Sequence, residues 1–482
     1  MKEGQSLSLS EIKKRAASSF MSLTARQIAL RAISFVTLNV ILARTLPVET
    51  LGIFNIATAV IVFLAFFSDI GLAASLIQKK EDITQDDIKT VFTIQQLLVL
   101  SISLIVILGA PLIGQIYSLD EAGVWLVRVL GISFLLSSLK VVPAVLLERE
   151  LRFQPLVAVE IVETLIFNGL LIITVLANLG IWSFSIAALA RGLSGTSLIY
   201  ILAPVKLSLG IEKTAAKKLL TFGLPFQANS LLALVKDRLV PLVVAGMVGP
   251  LGIGFITWAQ NMAFLPLEMM NIIIRISFPA FSRLQGNKDN LGRAVEKSLF
   301  VTALLVYPAL FGLAAILPSL VTYVISSKWQ PALLGFYFFA FSTFWAVIST
   351  TFTNTLNAIG HIKTTLKLMI LWTVSTWVLT PLLVLKYGYL GVALASFVIS
   401  FTSLLPVILV KRVLVVRVLN ALAWPVVASS VMAGTVYLFA QNFVRDVFTL
   451  ILAVTLGIIV YALVISFKGK VLLADLRSLK SG

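Results

Sequence analysis

The sequence contains no cysteine and a single histidine, His361. Disulfides, thiolate metal sites and cysteine nucleophiles are therefore excluded, and one histidine in an expected loop cannot assemble a metal cluster. Charge is also scarce: 12% of the 482 residues are charged, against 59% that are hydrophobic. A soluble protein of this length could not cover that much apolar surface with so few charges, so the composition points to an all-α polytopic membrane protein. Long polar stretches are missing too, and the expected interhelical loops reach only about 15 residues, too short for a catalytic domain. No Asp-x-Asp metal motif is present. These absences weigh against a membrane glycosyltransferase or polymerase.

What is present is a long series of apolar windows, each able to cross a bilayer at about 20 residues per crossing. They fall at 19–44, 50–77, 90–116, 122–147, 155–178 and 180–204, then at 217–247, 250–280, 297–324, 330–357, 364–385 and 389–410, and finally at 418–440 and 446–467. Fourteen helices are expected, which puts both termini on one side. The N-terminal "SLSLSEIKKRAASSF" is polar and basic, with Ser8 and Glu11 spaced as a capping box. It reads as an amphipathic lead-in helix rather than a cleavable signal.

Basic residues set the orientation. With a cytoplasmic N-terminus, 26 Lys and Arg lie in the cytoplasmic segments and 4 (Arg44, Lys328, Lys386 and Arg445) in the outer loops. Positive residues are retained on the cytoplasmic side, so this asymmetry supports a multi-pass protein of the plasma membrane with both ends in the cytosol. Topology also accounts for most of the formal net charge of +17, without a nucleic-acid partner.

Corresponding pieces recur at an offset of roughly 200 residues. "LGIF" from Leu51 is echoed by "LGIGF" from Leu251, "PLIGQIY" from Pro111 by "PSLVTYV" from Pro318, and "LGIWSFSIAALA" from Leu179 by "YGYLGVALASFV" from Tyr387. Six helices per repeat is an even number, so the copies start on the same face and are related by a parallel pseudo-twofold. The expected organisation is a lead-in at 1–18, a six-helix lobe at 19–204, a basic linker at 205–216, a second six-helix lobe at 217–412, two further helices at 413–467 and a tail at 468–482.

Charges inside the spans carry the functional signal, because a bare charge at the bilayer centre costs roughly 2.5–3.5 kcal/mol and is retained where it has work or a partner. The basic set is Arg26, Arg31, Arg128, Lys140, Arg191, Lys236, Arg238 and Arg275; the acidic set is Asp69, Glu160, Glu163, Asp237 and Glu268. Arg128, Lys140 and Arg275 lie within about two turns of a helix end, from where a long side chain reaches the headgroups. Glu160 and Glu163 are three apart on one helical face, placed to pair with an arginine or to bind a coupling ion. Arg31, Arg191 and the Lys236–Asp237–Arg238 group in "LALVKDRLVPLVVAG" lie deeper. On a helix Lys236 and Arg238 point about 200° apart, so only one of them can face a given cavity. A basic interior suits an anionic headgroup such as a phosphate or diphosphate. Pro225, Pro241 and Pro266, with Pro250 and Pro279, make 217–280 the stretch most prone to kinks.

The run "LNVILARTLPVETLGIFNIATAVIVFLAFFSDIGLAASLIQKKE", Leu38 to Glu81, resembles the first helical hairpin of the oligosaccharide flippases. These form the Wzx-type, polysaccharide-transporter branch of the multidrug, oligosaccharidyl-lipid and polysaccharide exporter superfamily. The shared features are "LAR" at Leu42–Arg44, the proline and glutamate before "LGIF", and "SDIGL" at Ser68–Leu72 ahead of a basic turn. The resemblance implies two six-helix lobes around a cationic vestibule, plus two C-terminal helices. It implies alternating access that carries a polyprenyl-diphosphate-linked saccharide from the cytoplasmic to the outer leaflet, with polysaccharide polymerases as partners. It places functional arginines on helices 1 and 8, whose counterparts here are Arg26, Arg31 and Arg275.

Arg26, Arg31, Arg191, Lys236, Arg238 and Arg275 are thus the expected substrate-binding residues, and Asp69, Glu160, Glu163, Asp237 and Glu268 the expected ion-coupling or ion-pair residues. No cofactor or metal is expected, with Na+ or H+ open as the coupling ion. A cation-coupled multidrug exporter of the same superfamily is the alternative, disfavoured because eight basic residues outnumber five acidic ones in the spans. The identity of the sugar, the carrier length and the oligomeric state are not written in the sequence.

Overall fold

A chain that crosses hydrocarbon must close its own backbone hydrogen bonds, and the described residues do so as helix, with no strand among them. The computed structural model describes residues 29–79, 81–205, 208–234 and 239–467. In chain order the helices are α1 (residues 29–45, with a wider π turn at Thr37–Ile41), α2 (Val48–Ala65), α3 (Leu72–Gln78), α4 (Gln85–Tyr117), α5 (Glu121–Ser138), α6 (Val141–Arg149), α7 (Phe153–Leu176), α8 (Trp182–Leu202) and α9 (Lys213–Leu234). There follow α10 (Val240–Phe264), α11 (Leu267–Leu284), α12 (Lys288–Leu320), α13 (Ala332–Ala358), α14 (Ile362–Tyr387), α15 (Leu390–Ser400), α16 (Leu404–Lys411), α17 (Val418–Phe443) and α18 (Val447–Ser466).

Twelve helical stretches among the described residues are long and apolar enough to cross a membrane. The expected fourteen are not all found, for local reasons. The first window is described only from Ala29 onward. The seventh and eighth, 217–247 and 250–280, give way to three helices: α10 straddles the expected boundary and breaks at Gly249, whose φ is 65°. Leu265–Pro266 then separates α10 from α11, which carries Glu268, Arg275 and Arg283 in 18 residues.

Polar caps set several helix starts. Thr84 accepts from the Asp87 N–H at 3.2 Å while the Asp87 carboxylate accepts from the Thr84 N–H at 2.9 Å, a reciprocal cap that opens α4. Asp120 opens α5 and Asn287 opens α12 with a single side-chain cap, accepting from the Gly123 and Asn290 N–H groups. Ahead of α18, Asp446 accepts from the Thr449 N–H at 2.8 Å, and that donor holds its carboxyl below the usual carboxylate range.

The chain forms two compact units, residues 1–46 with 57–234 and residues 47–56 with 235–482. Within the first, a core of Leu72, Leu76, Val91, Val142 and Leu219 packs α3, α4, α6 and α9 together. Gly71 adopts a left-handed conformation (φ 81°) and lies against the backbone of Gly223. Arg149 seals the end of α3 by donating to the Leu76 and Glu81 carbonyls at 2.6 and 2.7 Å, where helical carbonyls lack intrahelical donors.

Within the second unit, Val295, Leu299, Tyr307, Val347 and Phe352 centre the core, with Tyr307 stacked on Phe344 at 4.7 Å. The start of α2 belongs to this unit and crosses α10 with little space to spare. A Cβ at Gly52 would overlap the Pro250 carbonyl, and one at Gly254 would crowd the Val48 carbonyl. Asn55 Nδ2 donates to Thr257 Oγ1 at 2.8 Å across 202 residues of chain. Gly52 and Gly254, like Val48 and Pro250, are separated by that same interval, so the contact is reciprocal.

Gly71→Ala, which meets both backbone strain and the Gly223 backbone, is expected to destabilise the protein by about 2 kcal/mol. Gly169→Ala, at a helical position with nothing within 4 Å, should be neutral or stabilising by up to about 1 kcal/mol. Thermal unfolding of the detergent-purified variants, followed by tryptophan fluorescence, checks the contrast.

Candidate functional site

Among the described residues of the in-span set the most buried charge is Glu163, halfway along α7 and only 4% exposed. A carboxylate in that setting needs a cation and hydrogen bonds to remain ionised, and two neighbours supply positive charge. Lys140 Nζ donates to Glu163 Oε1, and Arg191 Nε lies 3.7 Å from Oε2.

Each partner arrives by a specific local device. α5 ends at Ser138 and α6 begins at Val141, so Lys140 sits in the break between them. Pro143 occupies the first turn of α6, where a missing N–H costs nothing. Arg191 is carried by α8, and one turn further on Gly195 leaves the space that the carboxylate fills; a Cβ there would overlap Glu163 Oε1. Three hydrogen bonds lock α8 against α5 and the residue after it: Ser133 Oγ to the Ala188 carbonyl at 2.7 Å, Thr196 Oγ1 to the Leu136 carbonyl at 2.8 Å and the Tyr200 hydroxyl to the Leu139 carbonyl at 2.7 Å. On the other side of α7, Asn168 Nδ2 donates to Ser34 Oγ of α1 at 3.1 Å.

The two cations are not equivalent. The Lys140 side chain is 26% exposed and hydrogen bonded to the carboxylate. The Arg191 side chain is 52% exposed and too far from Oε2 for a hydrogen bond, with its guanidinium 5.7 Å from the centre of the Phe167 ring. Two positive charges against one negative leave the cluster with a surplus of one. It can therefore attract a further anion at its more exposed end.

The other expected residues lie apart from this cluster or outside the description. Arg31 is on an exposed side of α1, and Glu160 is exposed one turn before Glu163. Asp69 Oδ1 accepts from the Leu72 N–H at 2.9 Å and thereby caps α3. Glu268 and Arg275 are exposed on α11, in the second unit. Arg26, Lys236, Asp237 and Arg238 lie outside the described residues. Of the expected set the structure thus joins Glu163 with Arg191, and it adds Lys140, which the sequence reading assigned to the headgroups. The signal for Lys140 was the Pro143 that restarts the helix just beyond it. Among the described residues no group of three or more His, Cys, Asp or Glu could hold a metal ion.

Fold and cluster together define a multi-pass α-helical membrane protein with an ion cluster inside its first unit. The chain belongs to the polysaccharide biosynthesis protein family, whose profile matches residues 41–334. It is 25% identical over 297 residues to the lipopolysaccharide biosynthesis protein WzxC of Escherichia coli (strain K12), which covers 60% of this chain and 59% of that protein. It is 24% identical over 306 residues to the succinoglycan biosynthesis transport protein ExoT of Rhizobium meliloti (strain 1021), covering 62% and 60%. This chain thus spans about 60% of the length of each of these curated relatives. Among solved structures it is similar in fold to a lipid II flippase, MurJ, in an inward closed conformation. The TM-score is 0.72 at 15% identity, over 94% of this chain and 99% of that one.

Removing the nearer cation should cost more than removing the farther one. Stranding a fully buried charge costs several kcal/mol; with Lys140 a quarter exposed and Arg191 still close, Lys140→Met is expected to destabilise by about 2 kcal/mol. Arg191→Met should cost less than about 1 kcal/mol, as expected for a half-exposed, unbonded ion pair. Equal melting temperatures for the two variants would show that Lys140 is not the structural partner.

Proposed function

We propose that this protein is a flippase, a membrane transporter and not an enzyme. It carries a polyprenyl-diphosphate-linked oligosaccharide from the cytoplasmic to the outer leaflet by alternating access, for the assembly of a cell-surface polysaccharide. The observation that carries the reading is membership of a polysaccharide biosynthesis family by a chain whose described residues are almost entirely membrane-type helix. No described break between helices is long enough for a catalytic domain, which favours moving a saccharide over making one. Support also comes from the relatives whose names specify lipopolysaccharide biosynthesis and succinoglycan transport, and from a fold like that of a lipid II flippase.

The chemistry of such a substrate matches the charge of the spans. A diphosphate leaving water needs compensating cations and charge-assisted hydrogen bonds, and Arg31, Arg191 and Arg275 are the described residues assigned to that task. Arg26, Lys236 and Arg238 join them from outside the described set. Asp69, Glu160, Glu163, Asp237 and Glu268 are assigned to ion pairing or to a coupling sodium ion or proton. Six-helix lobes at 19–204 and 217–412, with both termini in the cytosol, complete the reading.

Arg31→Ala and Arg191→Ala are each expected to reduce polysaccharide export by at least tenfold in cells that depend on this gene, with wild-type amounts of protein in the membrane. Full export by both variants would overturn the cationic-headgroup mechanism. Orientation is separately testable, because the absence of cysteine gives a clean background. A membrane-impermeant maleimide added to whole cells should label Arg445→Cys and not Gly286→Cys; the reverse pattern would invert the topology.

A further inference from the structure

The Lys140–Glu163–Arg191 cluster has an asymmetry that a purely structural ion pair does not require. From the geometry we infer that Glu163 is an internal stand-in for the substrate's phosphate: before substrate arrives its carboxylate compensates one of the two positive charges, and an incoming phosphate takes Arg191 from it while Lys140 remains behind. This inference rests on the flippase reading and specifies how the positive charge of its headgroup site is partly compensated between cycles.

Four observations support it. First, Glu163 presents one oxygen to each cation, as a phosphate would. Second, the hold is unequal, since Lys140 is hydrogen bonded whereas Arg191 stands at 3.7 Å with half of its side chain exposed. Among the described residues no hydrogen bond engages the Arg191 guanidinium, although its planar fork is suited to two parallel bonds with a phosphate.

Third, the glycine at 195 places the carboxylate against the α8 backbone, one turn from Arg191. Fourth, the second copy of the repeat lacks the cluster. The repeat matches Pro111/Pro318 and Leu179/Tyr387 carry Lys140 onto Val347, Glu163 onto Leu371 and Arg191 onto Ile399. The second copy builds the corresponding helices without any of the three charges.

The physical logic is exchange of one anion for another. Two cations left bare beside each other in a partly desolvated site repel each other and lose part of their hydration, whereas a resident carboxylate keeps them partly compensated until a stronger anion arrives. When that anion leaves, Glu163 is in place to recapture Arg191, so the same group that preserves the empty site also promotes release.

The test uses the full-length protein in detergent, with geranyl diphosphate as the probe and calorimetry as the readout. Glu163→Gln should bind it about tenfold more tightly than the wild type, and Arg191→Met at least tenfold more weakly. Combining the two substitutions should remove the gain. Should Glu163→Gln fail to fold, Gly195→Ala gives a second route: it keeps the charge and displaces the carboxylate, and it should tighten binding threefold or more. Unchanged or weaker binding in both Glu163→Gln and Gly195→Ala would overturn the inference and leave the flippase reading intact. Absence of binding in the wild type and in every variant would overturn both. A short-chain phosphatidylglycerol that displaces the probe equally well would assign the site to a bilayer headgroup and overturn its assignment to the substrate.

Discussion

A carboxylate taken out of water has to bring its own compensation, and in the first unit that demand falls on Glu163. The cost of an unpaired buried charge exceeds what a single helix–helix contact returns, so the helices around α7 are arranged to deliver cations. α5 stops at Ser138, Lys140 sits in the gap, and α8 comes close enough to require a glycine at 195. The hydrogen bonds from Ser133, Thr196 and Tyr200 then hold that approach. The register of three helices is thus tied to one charge, which explains why hydroxyl and small residues gather on these faces inside an otherwise apolar bundle.

Among the described residues, the core of the second unit is packed by aromatic and apolar side chains. Tyr307, Phe344 and Phe352 lie at its centre, and a close helix approach uses Gly52 and Gly254 with Asn55 and Thr257. The reciprocity of that crossing gives physical content to the repeated "LGIF" and "LGIGF". Both copies keep a glycine where the other copy's backbone passes, because no side chain fits there. The repeat is therefore more than a residue of ancestry: its glycines persist as a steric requirement.

Much of the fold could be read from the sequence, because a bilayer reduces secondary structure to the length and polarity of apolar runs. Eleven of the twelve apolar helices coincide with windows read in this way. The exception is the stretch around α10, where the boundary is set by a single backbone angle at Gly249 and by proline kinks that leave the hydropathy continuous. The site was less legible. Glu163 and Arg191 stand out as charges in apolar helices, but pairing depends on rotation about each helix axis, and Lys140 depends on a helix break only two residues long. Asp69 shows the opposite case: an acid inside an apolar window sits at a turn between Ser68 and Leu72 and caps the helix that follows.

The use of lysine at 140 and arginine at 191 follows from the different tasks of the two positions. A compact ammonium fits against a buried carboxylate and engages one of its oxygens through a single short contact, while its stem covers apolar surface. A guanidinium in the same gap would need room for a planar fork and partners for five N–H groups. At 191 the requirements reverse. The side chain is half exposed, the carboxylate is beyond hydrogen-bonding distance, and a broad, weakly hydrated cation beside the Phe167 ring is suited to meeting a second anion. Exchanging the two residues would conserve charge and composition and still impair both functions of the cluster, because the buried carboxylate would lose its close partner and the exposed end its bidentate donor.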